Sequence, residues 1–206
     1  MKKHVLVLSL LFSFLLVRAD EGMWLLQFLG DKTYQEMVKR GLKMSREQVY
    51  SLNKSSLKDA IVIFGGGCTG EIVSSKGLIF TNHHCGYGAI AGASTVEKNY
   101  LRDGFWAKSF SEEIPSPGLA VQFLRRVDDV TAEVEAALAG LEGSARAAKL
   151  NEISAAIARR TTEGTTYEAR VLPFFRNNQY LTFVYERFRD VRLVGTPAES
   201  IDRKST

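Results

Sequence analysis

Apolar side chains cluster in short segments that have the length and composition of β-strands. A continuous apolar run at residues 60–64 is typical of a buried strand. Residues 69–73 and 77–81 flank the polar Ser74-Ser75-Lys76 and predict a hairpin. Further strands are predicted at residues 119–124, 167–172, 180–185 and 191–194. We expect these segments to pair as a barrel-like antiparallel sheet built from residues 60–125 and 167–194.

Helical patterns precede and interrupt the predicted strands. Thr33 and Ser45 each begin a capping-box sequence, and Gly41 between them is a plausible helix stop. Residues 128–160 carry apolar side chains at helical spacing, interrupted by glycines. This insertion is predicted to be two helices, or one kinked helix, lying outside the sheet. Residues 86–114 form a long connection with a predicted helical turn near residues 96–101.

The N-terminus has the pattern of a secretory signal peptide. Two lysines precede an apolar run at residues 5–17, and small or apolar residues lie at a cleavage position before Asp20. A membrane anchor is the alternative, but the run is shorter than the roughly 20 residues that a span needs. Removing residues 1–19, with Lys2, Lys3 and Arg18, lowers the formal net charge from +4 to +1. The charge therefore gives no argument for nucleic acid as a partner.

The candidate chemistry lies in Thr81-Asn82-His83-His84-Cys85 and in Cys68, the other cysteine of the chain. Export would place both cysteines in an oxidising compartment, where a disulfide persists. A metal site made from His83, His84, Cys85 and Cys68 is the alternative. If these residues continue a strand, neighbouring side chains point to opposite faces, which disfavours a shared metal ion. The disulfide is therefore the preferred prediction.

Five segments together resemble the bacterial dipeptidyl-peptidase seven and eleven family of serine exopeptidases. The resemblance covers nearly all of the chain after the signal peptide, to about Ile201. Its strongest part is Gly77-Leu78-Ile79-Phe80-Thr81-Asn82-His83-His84-Cys85-Gly86-Tyr87, which is also similar to the histidine loop of chymotrypsin-like peptidases. The other segments are residues 19–25, 66–70, 99–107 and 188–195.

This resemblance implies a mainly β fold with α insertions. It would comprise the first β-barrel of a chymotrypsin-like double barrel and part of a helical domain. His84, directly before the cysteine, matches the catalytic base that takes the serine proton and returns it to the leaving amine. His83 is left as structural. The family releases dipeptides from free peptide N-termini in the periplasm, without metal or cofactor, and a homodimer is possible for the full-length protein.

The sequence departs from the family pattern after residue 194. The family's Asp-containing run does not appear in residues 197–206, and no Gly-Asp-Ser-Gly or Gly-x-Ser-x-Gly motif is present. Asp190 precedes its strand and is interpreted as structural. The expectation is that residues 20–206 are the N-terminal part of a peptidase catalytic domain, truncated after about residue 201 and inactive alone. The alternative is an exported, non-catalytic half-barrel that binds peptides or has a structural role.

Overall fold

The computed structural model describes residues 26, 29–51 and 54–201. The predicted signal peptide, its cleavage position and the resembling segment at residues 19–25 lie outside them. The chain divides into two compact units, residues 1–44 and 45–206. Among the described residues, no helix combines the length and the apolar composition needed to cross a bilayer.

The described part of the first unit contains helix α1, Asp31–Lys39. The predicted capping box at Thr33 is wrong, because the helix begins two residues earlier and its N-cap residue, Gly30, offers no side chain. The predicted stop at Gly41 is confirmed. Gly41 has a φ of 107°, and its amide donates to the Val38 carbonyl at 3.0 Å. A glycine suits this position because other residues rarely adopt a positive φ.

The second unit begins with a capped helical turn. Helix α2, Arg46–Val49, has the predicted capping box. Ser45 Oγ accepts from the Gln48 amide at 3.2 Å, and the Gln48 side chain accepts from the Ser45 amide at 2.8 Å. A 3-10 turn, Leu57–Ala60, then leads directly into the first strand.

A six-stranded antiparallel sheet forms the centre of this unit. In order across the sheet, its strands are β3 (Ile79–Thr81), β2 (Cys68–Ile72), β1 (Ile61–Phe64), β6 (Val121–Asp129), β8 (Gln179–Phe188) and β7 (Glu168–Phe174). Each neighbouring pair is antiparallel, as predicted. The sheet is open, with β3 and β7 as its edge strands.

The long connection between β3 and β6 is more ordered than the pattern suggested. It contains helix α3 (His83–Ala93), helix α4 (Tyr100–Asp103), a 3-10 turn (Phe110–Glu112) and two short strands, β4 (Phe105–Trp106) and β5 (Ile114–Pro115). The predicted helical turn at residues 96–101 is shifted: the helix begins at Tyr100, four residues later than expected. The assignment of His83, His84 and Cys85 to a continued strand is wrong, since all three lie in the first turn of α3.

The last predicted strand does not join the main sheet. Within residues 191–194 only β9 (Arg192–Leu193) forms, and it pairs with β5; the residues just after it form β10 (Gly195–Thr196), which pairs with β4. Gly195 lies directly opposite Trp106. A Cβ atom at Gly195 would overlap the indole ring of Trp106, so a larger residue there would force the ring to move. These two ladders hold the long connection against the C-terminal segment.

The helical insertion packs against one end of the sheet. It consists of two helices, α5 (Thr131–Leu138) and α6 (Gly143–Thr162), so the two-helix alternative is correct. β6 runs to Asp129, and the helical segment therefore begins three residues later than predicted. The Arg160 guanidinium donates to both oxygens of Glu133, at 3.0 and 2.8 Å, across the two helices. The buried core beneath them contains Val134, Leu138, Ile157 and Tyr180.

Ile157 is the test position for this core, because its side chain is fully buried between the helices and the sheet. We expect Ile157→Ala to lower the free energy of unfolding by about 2–5 kcal/mol, through lost burial and the cavity left behind. Urea unfolding followed by circular dichroism measures this change. Val96→Ala is the control: Val96 is 92% exposed, and its replacement is expected to change stability by less than about 0.5 kcal/mol. Equal effects of the two variants would contradict this packing.

Candidate active site

The candidate catalytic residue, His84, is exposed at the start of a helix. β3 ends at Thr81, Asn82 is extended, and α3 begins at His83. The Cys85 amide donates to the Asn82 carbonyl at 2.9 Å and closes the first turn. This abrupt change from strand to helix carries His84 away from the sheet ladder and leaves its imidazole accessible to solvent.

The hairpin before this turn is fixed by a side-chain hydrogen bond. Thr81 Oγ1 donates to the Thr69 carbonyl at 2.7 Å, from β3 to β2. Thr81 itself pairs with Gly70 in the ladder. The last residue of β3 is therefore held to the neighbouring strand, and the start of α3 follows only two residues later.

A disulfide joins Cys68 in β2 to Cys85 in α3, with a Cα–Cα distance of 6.0 Å. The predicted disulfide is therefore present. It does not lie between two paired strands, however, because Cys85 belongs to the helix. The bond ties the residue next to His84 to the strand that neighbours β3. Both cysteines are partly buried and pack against a core cluster of Val62, Phe64 and Val121.

The other histidine of this segment has a different environment. His83 is half-buried, and its ring makes an edge contact with Tyr87, with centroids 6.0 Å apart. The two residues are four apart on one helix, so their side chains lie on the same face. The contact between His83 and Tyr87 was not predicted, because the segment was expected to be a strand. A helical prediction would have indicated it, since residues four apart lie on the same face of a helix.

His84 and Cys85 lie in a helix and not in the strand on which the expectation against a metal site was based. On a helix, His84 and Cys85 are not forced to opposite faces. The ligand atoms of Cys68, His84 and Cys85 all lie within 4.8 Å of one another. In the structure the two sulfur atoms are bonded to each other, which leaves no thiolate to bind a metal ion.

Within the described part of the chain, His84 makes no hydrogen bond to a serine hydroxyl or an aspartate carboxylate. Ser144, which follows a glycine, lies in the first turn of α6. Asp190, the nearest carboxylate to the expected position in sequence, is engaged elsewhere. It accepts two hydrogen bonds of 2.9 Å from Arg192, which supports its interpretation as a structural residue.

Comparison with known proteins places this arrangement in a family. Residues 19–203 match the model of the family described as Peptidase S46. The chain belongs to the peptidase S46 family. The fold class predicted from the resemblance is confirmed with it: antiparallel β-structure with helical insertions and an open, incomplete barrel.

Curated relatives are similar over almost the whole sequence. Dipeptidyl-peptidase 7 of Capnocytophaga gingivalis is 47% identical over 204 residues, which cover 96% of this chain and 28% of the relative. The Asp/Glu-specific dipeptidyl-peptidase of the same organism is 46% identical over 183 residues, covering 88% of this chain and 26% of the relative. The chain thus spans about a quarter of the length of these S46 relatives.

Solved structures of a related peptidase have the same fold as most of this chain. Porphyromonas endodontalis DPP11 in complex with substrate superposes with a TM-score of 0.80 at 39% identity, covering 88% of this chain and 27% of DPP11. A second crystal structure of that protein, with the dipeptide Arg-Glu, gives a TM-score of 0.79 at 40% identity. The S46 chain described here therefore has the fold of one part of a much longer peptidase.

The disulfide should contribute measurably to the stability of this S46 chain. Its cysteines are 17 residues apart in sequence, and closing a loop of that size stabilises a fold by about 3 kcal/mol in the chain-entropy model. We expect the double variant Cys68→Ser/Cys85→Ser to lose about this much free energy of unfolding, measured by urea titration. Wild-type chain treated with a thiol reductant should show a similar loss. An unchanged unfolding midpoint in both would contradict the prediction.

The Asp190–Arg192 pair gives a second prediction. Hydrogen bonds from Arg192 hold the pKa of Asp190 below its ordinary value of 3.8. The pair therefore stabilises the fold above pH 3.8, and that contribution is lost as the pH falls through the folded-state pKa. We expect Arg192→Gln to raise the pKa of Asp190, as measured by NMR titration of its carboxyl carbon. Arg189→Gln is the control, because Arg189 pairs with Glu168 instead; a shift in both variants, or in neither, would count against the assignment.

Proposed function

We propose that this chain supplies the histidine-bearing part of a serine-type dipeptidyl peptidase, which releases dipeptides from peptide N-termini. The observation that carries the proposal is the position of His84. It is solvent-accessible at the first turn of α3, and its neighbour Cys85 is covalently fixed to β2. An imidazole that exchanges protons with a substrate has to be both accessible and held in place.

In this proposal His84 acts as general base and then as general acid. It accepts the proton of a serine hydroxyl during attack on the peptide carbonyl and donates it to the leaving amine. The residues described here offer His84 neither that serine nor an orienting aspartate. We therefore assign both to the part of the relatives' length that this sequence does not span, and we expect this chain alone to be inactive. The reaction requires no metal or cofactor.

We also propose a domain organisation, which the match of residues 19–203 to the family supports. Residues 20–206 would form the N-terminal part of the peptidase catalytic domain, after a signal peptide at residues 1–19. Helices α5 and α6 would be the start of a helical domain inserted at residues 128–160. The resemblance also suggests a periplasmic enzyme that forms a homodimer when complete.

The substrates would be peptides with a free N-terminus. Among the relatives, one is named an Asp/Glu-specific dipeptidyl-peptidase, and DPP11 of P. endodontalis has been crystallised with Arg-Glu and Arg-Asp. These names support dipeptide release as the reaction. We make no assignment of side-chain preference, because relatives of both types are similar to this chain at 46–47% identity.

A chimaera tests the catalytic role of His84. This chain would replace the matching segment of C. gingivalis dipeptidyl-peptidase 7, which is 47% identical over 204 residues. We expect the chimaera to cleave dipeptidyl substrates and His84→Ala in the chimaera to lower kcat/KM by at least about a thousandfold, because no other group can take the serine proton. Release of a chromogenic leaving group from dipeptidyl substrates provides the measurement.

His83→Ala in the same chimaera is the matched control, and it should keep most of the activity because His83 packs against Tyr87. The isolated chain should give no hydrolysis above background. Two results would overturn the proposal: an active His84→Ala chimaera, or His84-dependent dipeptide release by the isolated chain. If the folded chimaera is inactive but the isolated chain binds peptides, the alternative of a non-catalytic peptide-binding module is favoured, since His84 has no triad partner among the described residues.

A further inference from the structure

Three potential metal ligands meet at the junction of β2 and α3. Cys68 comes from the strand, and His84 and Cys85 come from the first turn of the helix. One ligand atom from each, the two sulfurs and an imidazole nitrogen, lies within 4.8 Å of the others. Two thiolates and a neutral imidazole are the donor types that Zn²⁺ prefers. The arrangement therefore has the chemistry of a zinc site, apart from the bond between the sulfurs.

We propose that reduction of the Cys68–Cys85 disulfide converts this junction into a three-ligand Zn²⁺ site formed by Cys68, Cys85 and His84. The oxidised chain would not bind the ion, because disulfide sulfurs carry no negative charge and are not effective zinc ligands. The site would thus exist in one oxidation state only. This inference concerns metal binding by the chain and does not depend on the proposed peptidase activity.

The distances permit such a site after a small rearrangement. Zn–S bonds are about 2.3 Å and Zn–N bonds about 2.0–2.1 Å, so the ligands of a tetrahedral ion lie roughly 3–4 Å apart. The present atoms are already within 4.8 Å of each other. After reduction the sulfurs have to move apart, and the nitrogen has to approach by at most about 1–2 Å. Side-chain rotation alone provides movements of this size, since none of the three side chains is fully buried.

Exposure of His84 also gives the ion a path of entry. Water would fill the fourth position, as is usual where a protein supplies three ligands. His83 is outside the group: its ring lies against Tyr87, and it is absent from the cluster of potential ligands. The two adjacent histidines are therefore expected to behave differently towards metal, which makes them a matched pair for experiments.

The reduction step is a two-electron exchange with a dithiol. The dithiol delivers two electrons and two protons, the Sγ–Sγ bond breaks, two thiols form, and the dithiol becomes a disulfide. Zn²⁺ then displaces the two thiol protons and accepts the lone pair of the neutral imidazole. In the reduced state the His84 nitrogen that faces the sulfurs would bind the ion.

Cobalt binding to the purified full chain tests the proposal directly. The chain is reduced with dithiothreitol, desalted under argon, and titrated with Co²⁺, whose thiolate complexes absorb visible and near-ultraviolet light; Zn²⁺ is then added to displace it. We expect one Co²⁺ per reduced chain and none per oxidised chain. His84→Ala should weaken binding by at least about tenfold, the smaller end of what the loss of even an outer-shell partner produces. His83→Ala should bind like the wild type, and Cys68→Ser/Cys85→Ser should not bind.

Thermal unfolding with and without Zn²⁺ provides a second measurement, because reduction alone destabilises the fold. Zn²⁺ should raise the unfolding temperature of the reduced chain, or restore its circular dichroism if reduction has unfolded it, and His84→Ala should reduce either effect. The proposal is overturned by equal metal binding in the oxidised and reduced chains, by equal affinity of His84→Ala and wild type, or by metal binding that leaves the reduced chain unfolded.

Discussion

The covalent bond between Cys68 and Cys85 is the constraint on which the site depends. Helix α3 buries only one residue, Ile90, among those that the structure describes, so apolar packing alone gives it a weak attachment. The disulfide fixes its first turn to β2, and β2 is in turn paired with β1 and β3 in the antiparallel sheet. The position of His84 is therefore set by the sheet through a covalent connection next to it.

The remainder of the second unit can be understood as support for this sheet. Helices α5 and α6 cover one end through fully buried side chains such as Val134 and Ile157. The short ladders β4–β10 and β5–β9 fasten the connection that follows α3. These two ladders restrict the segment between β3 and β6, which carries the candidate histidine. Among the described residues, His84 is the candidate group, and the proposed hydrolysis would need further groups to act with it.

Much of this organisation was predictable because it is encoded locally. The strand at residues 60–64, the hairpin after it and the apolar stripe of α5 and α6 follow periodic patterns that neighbouring residues reveal. The capping box at Ser45 was correct, whereas the one at Thr33 was not, since a helix can start without a side-chain cap. The family, and with it the interest in His84, followed from combined motifs that are specific only when they occur together.

The sequence by itself determined the strand segments, the helical insertion, the cysteine pair and the family. Tertiary structure decided where the helix containing His84 begins, because Gly- and Ala-rich residues 83–93 have no strong apolar period. It also decided that Trp106 would pair with Gly195, since contacts between distant strands depend on shape rather than on local pattern. Finally, it brought His84 beside both sulfur atoms: their proximity arises from the turn between β3 and α3, a three-dimensional feature that a strand-based interpretation would have excluded.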